Sequence, residues 1–399
     1  MYDRTLNTPE SEIENRIAGL QRILVEKGLD AALILQRVDL FYFTGTLQQA
    51  SLYVPAAGEP LLMVNKTLAR ARAESPIGRI RPLGSAKRIP DELKQAGIPL
   101  PTRIGFELDV LPTHLYFSYR ELFAGAEIVD LSTDIRLLRS VKSPYEIELI
   151  REAARYSDRV AAWVPDFLRE GVTEIELAGR IEAEARRMGH QGIVRMRLWG
   201  SELFYGHLLS GPSGAVPSFL ASPTGGNGVS PAVAQSAGFR PIRRHEPVLV
   251  DYVFVYRGYI SDHARIFAIG RLPDELVQAH RAMLDLQDRI KIAAKPGVVS
   301  GSMYDLGLDF AKTLGYSDHF MGVGAERIRF VGHGVGLELD EFPFLNAGQR
   351  LELQEGMVIA LEPKVIFPGK GVVGIENTHV VTKDGLEQLG KYPDEITIV

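Results

Sequence analysis

Five residues in the C-terminal half of the sequence have types and spacings suited to holding divalent cations: Asp251, Asp262, His333, Glu362 and Glu376. The two aspartates bracket an apolar stretch, Tyr252 to Ser261, that reads as two β-strands reversing around Arg257-Gly258. A turn symmetric about Tyr256 and Arg257 predicts Asp251 and Asp262 as direct cross-strand neighbours on one face, with Cβ atoms about 4.5–5.5 Å apart. The pattern recurs between Met357 and Glu376, where a turn centred on Gly369 sets Glu362 opposite Glu376. Like charges opposed on a sheet destabilise it, and burial between apolar strands raises the cost of ionising them. Two such pairs ask for a common counter-charge. His333 lies between glycines in Val331-Gly332-His333-Gly334-Val335-Gly336, which leaves its imidazole accessible on a tight loop. Four carboxylates and one imidazole make an oxygen-rich set for hard or borderline ions. The expectation is two divalent ions, Mn²⁺ first, with Co²⁺, Zn²⁺ or Fe²⁺ as the other candidates. The corresponding chemistry is hydrolysis, in which a water held between two metals loses a proton near neutral pH and attacks an amide or similar carbonyl.

Positioning these groups takes a sizeable scaffold, and 399 residues suggest two domains. Ile13, Ile17, Leu20 and Leu24 stand at helical spacing before Gly28, and Ala31 to Leu35 is a short apolar run of strand type. Further alternation makes residues 1–140 an α/β unit without a catalytic cluster. Ser143-Pro144-Tyr145-Glu146 combines an N-cap serine, a proline at the first helical position and a capping glutamate, so a helix opens a second domain over 141–399. Thr173 to Glu176 repeats the capping box, and residues 272–295 carry another apolar stripe. Gly200 to Gly228, dense in Gly, Ser and Pro, reads as a long loop for binding or surface display.

Composition narrows the chemistry further. The absence of cysteine excludes disulfide scaffolds, thiolate zinc sites and cysteine nucleophiles. Lys+Arg 45 against Asp+Glu 50, without long runs of either sign, gives no footprint for nucleic acid or an anionic membrane. No apolar run reaches the ~20 residues of a membrane span. Met1-Tyr2-Asp3-Arg4 does not open a secretory signal, which leaves a cytoplasmic location as the expectation.

The same residues resemble the creatinase, prolidase and methionine aminopeptidase family of pita-bread fold. The match runs through Asp251, Tyr259-Ile260-Ser261-Asp262 with Arg265, Gly332-His333-Gly334-Val335-Gly336, Leu361-Glu362-Pro363 and Ile375-Glu376-Asn377. Arg139 to Ile147 is similar to the interdomain joint of the aminopeptidase P and prolidase branch. The resemblance spans nearly the whole chain. It implies an α+β pita-bread catalytic domain behind a creatinase-type α/β N-terminal domain, a dinuclear metal centre and a homodimer. It further implies Asp251, Asp262, His333, Glu362 and Glu376 as metal ligands, Glu362 as general base and Arg265 as a charge partner of the ligands.

Departures from that family bear on substrate. Proline-specific relatives usually carry a histidine before the first aspartate ligand and another in a His-Glu-x-Pro segment. Here Gly225 to Arg244 holds no histidine, and the second segment reads Asp340-Glu341-Phe342-Pro343. An arginine common two residues before the last glutamate is replaced by Gly374. His207 is a candidate substitute for the missing imidazoles or a surface loop residue. Asp340 is a candidate to orient a substrate amine, to act as a base, or to cap a turn, and His379 is expected to face away from the metals. The leading expectation is a metal-dependent hydrolase of small peptides or peptide-like amides of the Xaa-Pro aminopeptidase or dipeptidase type. The alternatives are a C–N hydrolase or lyase on a small metabolite with Asp340 as base, and a binding protein without turnover.

Overall fold

The computed structural model describes residues 4–203 and 205–399; Met1, Tyr2, Asp3 and Phe204, and with them most of the segment weighed as a leader, lie outside it. Internal contacts divide the chain into two compact units, Met1–Arg139 and Ser140–Val399. Among the described residues no helix is long and apolar enough to cross a membrane.

The first unit is built on a six-stranded sheet of β1 (Ala31–Ile34), β2 (Ala50–Pro55), β3 (Leu61–Val64), β4 (Arg79–Pro82), β5 (Arg103–Phe106) and β6 (Glu127–Asp130), in the order β4-β3-β2-β1-β5-β6. β2 runs antiparallel to both neighbours and the other pairs are parallel. All four β1 residues are buried, as its continuous apolar run requires of a central strand. The helix Glu10–Glu26 buries Ile13, Ile17, Leu20 and Leu24, the stripe visible in the sequence.

The second unit opens on a capped helix. Ser143 accepts a hydrogen bond from the Glu146 N–H while Glu146 accepts one from the Ser143 N–H, and the helix Pro144–Phe167 follows. Its strands are β7 (Gly206–Ser210), β8 (Val248–Tyr252), β9 (Phe254–Tyr256), β10 (Tyr259–Ser261), β11 (Ala264–Ala268), β12 (Phe330–Gly334), β13 (Glu341–Asn346), β14 (Val358–Leu361), β15 (Lys364–Phe367), β16 (Gly371–Gly374), β17 (Asn377–Thr382), β18 (Gly385–Gln388) and β19 (Thr397–Ile398). Two larger sheets form, ordered β19-β11-β8-β7 and β13-β12-β14-β17-β18, with β9-β10 and β15-β16 as two-stranded ribbons. The helix Asp274–Ala293 packs Leu276, Met283, Leu286 and Ile290 into a core shared with Leu249, Ile266, Ile359 and Leu361.

Each ribbon continues a larger sheet, so the unit contains two long interrupted hairpins. In the first, Tyr256 pairs with Tyr259 across the turn, and the same register further down sets Asp251 opposite Ala264. Asp251 and Asp262 are therefore not direct partners, as the symmetric turn predicted; they are offset by two residues and remain on one face. The reason is steric. A two-residue hairpin turn of this kind needs positive φ at both central positions, which Arg257 (φ 50°) and Gly258 (φ 94°) supply, whereas the symmetric register would have required it of the aromatic Tyr256. In the second hairpin Lys364 pairs with Gly374 and Leu361 with Asn377, so the predicted register holds on both sides of Glu362 and Glu376.

The stretch from Gly200 to Gly228 is not all loop, because β7 runs antiparallel to β8 and places His207 directly across from Asp251. Buried Glu174 anchors this region, accepting hydrogen bonds from the Ser210 N–H (2.7 Å), the Ser210 hydroxyl (2.8 Å), the Gly238 N–H (3.1 Å) and the Ser213 hydroxyl. His190 fixes the adjoining wall. Its Nδ1 accepts from the Gly192 N–H at 2.9 Å, so Nε2 donates to the Val253 carbonyl at 3.0 Å.

Burial of His190 pushes its pKa from 6.5 down to about 4. Between those values the unfolded chain binds the proton and the folded chain does not, so the stabilisation is present above pH 6.5 and is lost as pH falls toward 4. Urea unfolding from about pH 7.5 to 4.5 should show the wild type losing up to about 1.4 kcal/mol per pH unit more than a His190→Phe variant. Parallel curves for the two proteins would contradict this assignment.

Candidate active site

The interrupted hairpins present the acidic side chains. Asp251 stands on β8, while Asp262 falls in the break between β10 and β11, Glu362 between β14 and β15, and Glu376 between β16 and β17. Where a ladder breaks, the backbone is free to turn a side chain off the sheet. The two hairpins are joined at this level. The Ala264 N–H donates to the Glu376 carbonyl (3.1 Å) and the Glu376 N–H to the Ala264 carbonyl (3.4 Å). The Thr378 hydroxyl accepts from the Asp262 N–H (2.9 Å) and donates to the Asp262 carbonyl (2.8 Å).

Arg265 holds the same junction from behind. Its buried guanidinium donates to the carbonyls of Glu376 (3.0 Å), Pro393 (2.8 Å) and Tyr392 (2.9 Å), to Asn377 Oδ1 (2.8 Å), and pairs with Asp394 (2.8 Å). It fixes backbone next to the acids and does not line the cleft.

The seven residues read from the sequence as metal ligands or catalytic candidates line one cleft: Asp251, Asp262, His333, Glu362, Glu376, His207 and Asp340. Met196, Leu198 and Leu220 contribute apolar walls. His207, read from the sequence as a possible surface residue, is buried, and its Nδ1 has no protein partner. Burial lowers its pKa, with Lys364 acting in the same direction against Asp251, which favours the neutral ring. Asp340 Oδ1 lies 3.6 Å from His333 Nδ1. His379, on β17, is fully buried and is not among the residues lining the cleft.

His333 is oriented by its surroundings. Nδ1 lies 3.1 Å from both the Gly334 and Leu339 carbonyls, contacts that need a proton on Nδ1. In the neutral ring Nε2 is then the bare nitrogen, and it points to Asp262 Oδ2 at 3.8 Å and Glu362 Oε1 at 3.7 Å. Burial opposes the charged ring, but Asp340, Glu362 and Asp262 outweigh it and raise the His333 pKa. Ligand atoms of Asp262, His333 and Glu376 all lie within 4.8 Å of one another. Burial, reinforced by Asp251 and Glu362, pushes the Asp262 carboxyl up to about 7. Burial, reinforced by Asp262 and Glu362, also holds Glu376 well above the ordinary carboxylate range. Carboxylates perturbed in this way are short of positive charge. The three donors therefore fit one divalent ion.

A further residue, not singled out from the sequence, sits among the acids. Lys364 Nζ contacts Glu362 Oε2 (2.7 Å), Glu376 Oε2 (2.7 Å) and Asp251 Oδ2 (3.0 Å), with its side chain 1% exposed. Burial works against its charge, but the three carboxylates outweigh it and hold the pKa well above the ordinary lysine value. The residues do not fit a second divalent ion among Asp251, Glu362 and Glu376, because an ammonium group already uses those oxygens. Strand alternation was the available signal, since residues 362 and 364 share a face. Gly374 was another: a Cβ there would lie 2.7 Å from the Lys364 Cα and 3.0 Å from its Cγ.

Comparison with known proteins agrees with this architecture. Residues 148–383 match metallopeptidase family M24, and residues 16–141 match the creatinase/prolidase N-terminal domain. The Xaa-Pro dipeptidase of Pyrococcus furiosus is 25% identical over 390 residues, covering 96% of this chain and all (100%) of that protein. An uncharacterized peptidase of Bacillus subtilis, YqhT, is 26% identical over 387 residues, covering 96% of this chain and 100% of its own length. The solved structure of the Xaa-Pro dipeptidase from Bacillus anthracis superposes with a TM-score of 0.82 at 25% identity, covering 97% of this chain and 100% of that one. The α+β pita-bread unit and the creatinase-type N-terminal unit are thus shared with these proteins, and the chain belongs to metallopeptidase family M24.

Proposed function

We propose that the chain is a metal-dependent hydrolase of small peptides of the Xaa-Pro dipeptidase or aminopeptidase type, with its catalytic domain over residues 141–399. The observation that carries this reading is the convergence of Asp262, His333 and Glu376, with donor atoms within 4.8 Å, in a cleft that also holds His207 and Asp340. The similarity to Xaa-Pro dipeptidases along 96% of the chain supports the substrate class. An oxygen-rich donor set favours Mn²⁺ over softer ions. A homodimer and a cytoplasmic location belong to the same proposal, the homodimer resting on the family.

A divalent ion at Asp262, His333 and Glu376 supplies Lewis acidity toward water and toward the scissile carbonyl. The remaining work falls to the side chains. Glu362 is the general base: Lys364 engages its Oε2, which leaves Oε1 as the oxygen to accept a proton from the attacking water. His207, with a free ring nitrogen beside Asp251, binds the substrate in place of the histidine missing from residues 225–244. The apolar wall of Met196, Leu198 and Leu220 suits a ring such as proline.

One observation favours a second reading. Asp340 stands in the cleft, against the His333 ring, where the proline-specific pattern has histidine. There it can serve as the base of a C–N hydrolase or lyase acting on a small metabolite.

With Mn²⁺ and a panel of Xaa-Pro and non-proline dipeptides, Glu362→Gln should reduce kcat by about 10²–10⁴-fold. His207→Ala should reduce kcat/KM by about 10²–10³-fold without changing the metal content. Asp340→Ala should lower peptide turnover far less than either. Wild-type protein with metal bound and no turnover of any peptide, together with an Asp340-dependent reaction on a non-peptide amide, would replace the first reading by the second.

A further inference from the structure

We infer that the Lys364 ammonium is a built-in cation that takes the place of one of the two divalent ions expected at this centre, which therefore holds a single exchangeable ion. The inference rests on the metal-dependent reading above and concerns how many ions that site accepts.

The geometry of Lys364 is that of a structural cation. An ammonium has three N–H donors and no acceptor, and Nζ has three carboxylate oxygens at 2.7, 2.7 and 3.0 Å, so each donor has its acceptor. The three oxygens belong to Asp251, Glu362 and Glu376, one acid from the first hairpin and both from the second. A divalent ion bound there would need the same oxygens at roughly 2.0–2.2 Å, a space the nitrogen occupies. Making room would mean swinging a side chain that is 1% exposed out of the protein interior. Its backbone is also locked, with the Lys364 N–H on Met321 Sδ (3.3 Å) and Gly374 packed across the strand pair. At Gly374 any side chain would collide with Pro363 and Lys364, so the glycine and the lysine belong to one local arrangement. For the remaining ion, Asp262, His333 and Glu376 each offer a ligand atom, all within 4.8 Å of one another.

The exchange has a chemical consequence. An ammonium neutralises charge and donates hydrogen bonds, but it offers no open position for a substrate oxygen. It also carries one positive charge where a divalent ion carries two, so the filled cleft keeps an excess of negative charge. That balance favours substrates presenting a cation at the cleft, such as the free α-ammonium group of a dipeptide.

Ion counting tests the inference. Full-length protein is stripped with chelator, saturated with Mn²⁺, passed through gel filtration and assayed for retained metal, for the wild type and for Lys364→Met and Lys364→Ala. Wild type should retain no more than one ion per chain, and each variant one more than wild type. Without metal the variants should melt below wild type, and Mn²⁺ should raise their Tm more than it raises that of wild type. If neither variant folds, the wild type alone decides: two tightly retained ions overturn the inference, and a ceiling of one supports it. A folded variant that retains no more metal than wild type also overturns it. A one-ion wild type that hydrolyses no peptide would contradict the proposed function and leave the assignment of Lys364 standing.

Discussion

Four carboxylates brought into one buried cleft repel each other and lose their hydration, and the rest of the catalytic unit is arranged around supplying the positive charge they lack. Burial alone costs an isolated carboxylate so much that the group would rather protonate, which is the direction in which Asp262 and Glu376 are pushed. Lys364 meets part of that demand with an ammonium bonded to three of the four acids. His333, its Nδ1 turned to two backbone carbonyls, leaves Nε2 facing the oxygens that remain. A single divalent ion at Asp262, His333 and Glu376 would supply two further positive charges and leave the cleft with a net negative charge.

The scaffold achieves this with two hairpins that break their ladders where the acids are needed. Regular pairing on either side holds the register, while the interruptions at Asp262, at Glu362 and at Glu376 release the backbone. The reciprocal Ala264–Glu376 hydrogen bonds and the Thr378 hydroxyl then tie the two breaks together. Arg265 secures that tie to the segment Tyr392–Asp394. Removing any of these would loosen the spacing of the donors before it altered their identity.

Much of this was legible in the sequence, for reasons that differ by residue. The acids and His333 stood out because charges inside apolar strands and a histidine between glycines have few structural explanations. The second hairpin could be registered from its turn, since Gly369 centres a loop of obvious turn residues. The first was misregistered by two positions because the turn uses Arg257 with positive φ, which the residue type does not advertise. His207 was hidden in a segment rich in Gly, Ser and Pro, although it lies on a strand whose pairing with β8 depends on a partner about forty residues away. Lys364 escaped notice because lysine in a strand usually marks a solvated edge. Only the face it shares with Glu362, and the absence of a side chain at Gly374, reveal that it turns inward.

The most direct test of this account is a crystal structure of the Mn²⁺-saturated protein with anomalous diffraction collected at the manganese edge. The account predicts one anomalous peak per chain, within bonding distance of Asp262, His333 and Glu376, and Lys364 Nζ still hydrogen-bonded to Asp251, Glu362 and Glu376. Two peaks bridged by the carboxylates, with the Lys364 side chain displaced from between them, would contradict it.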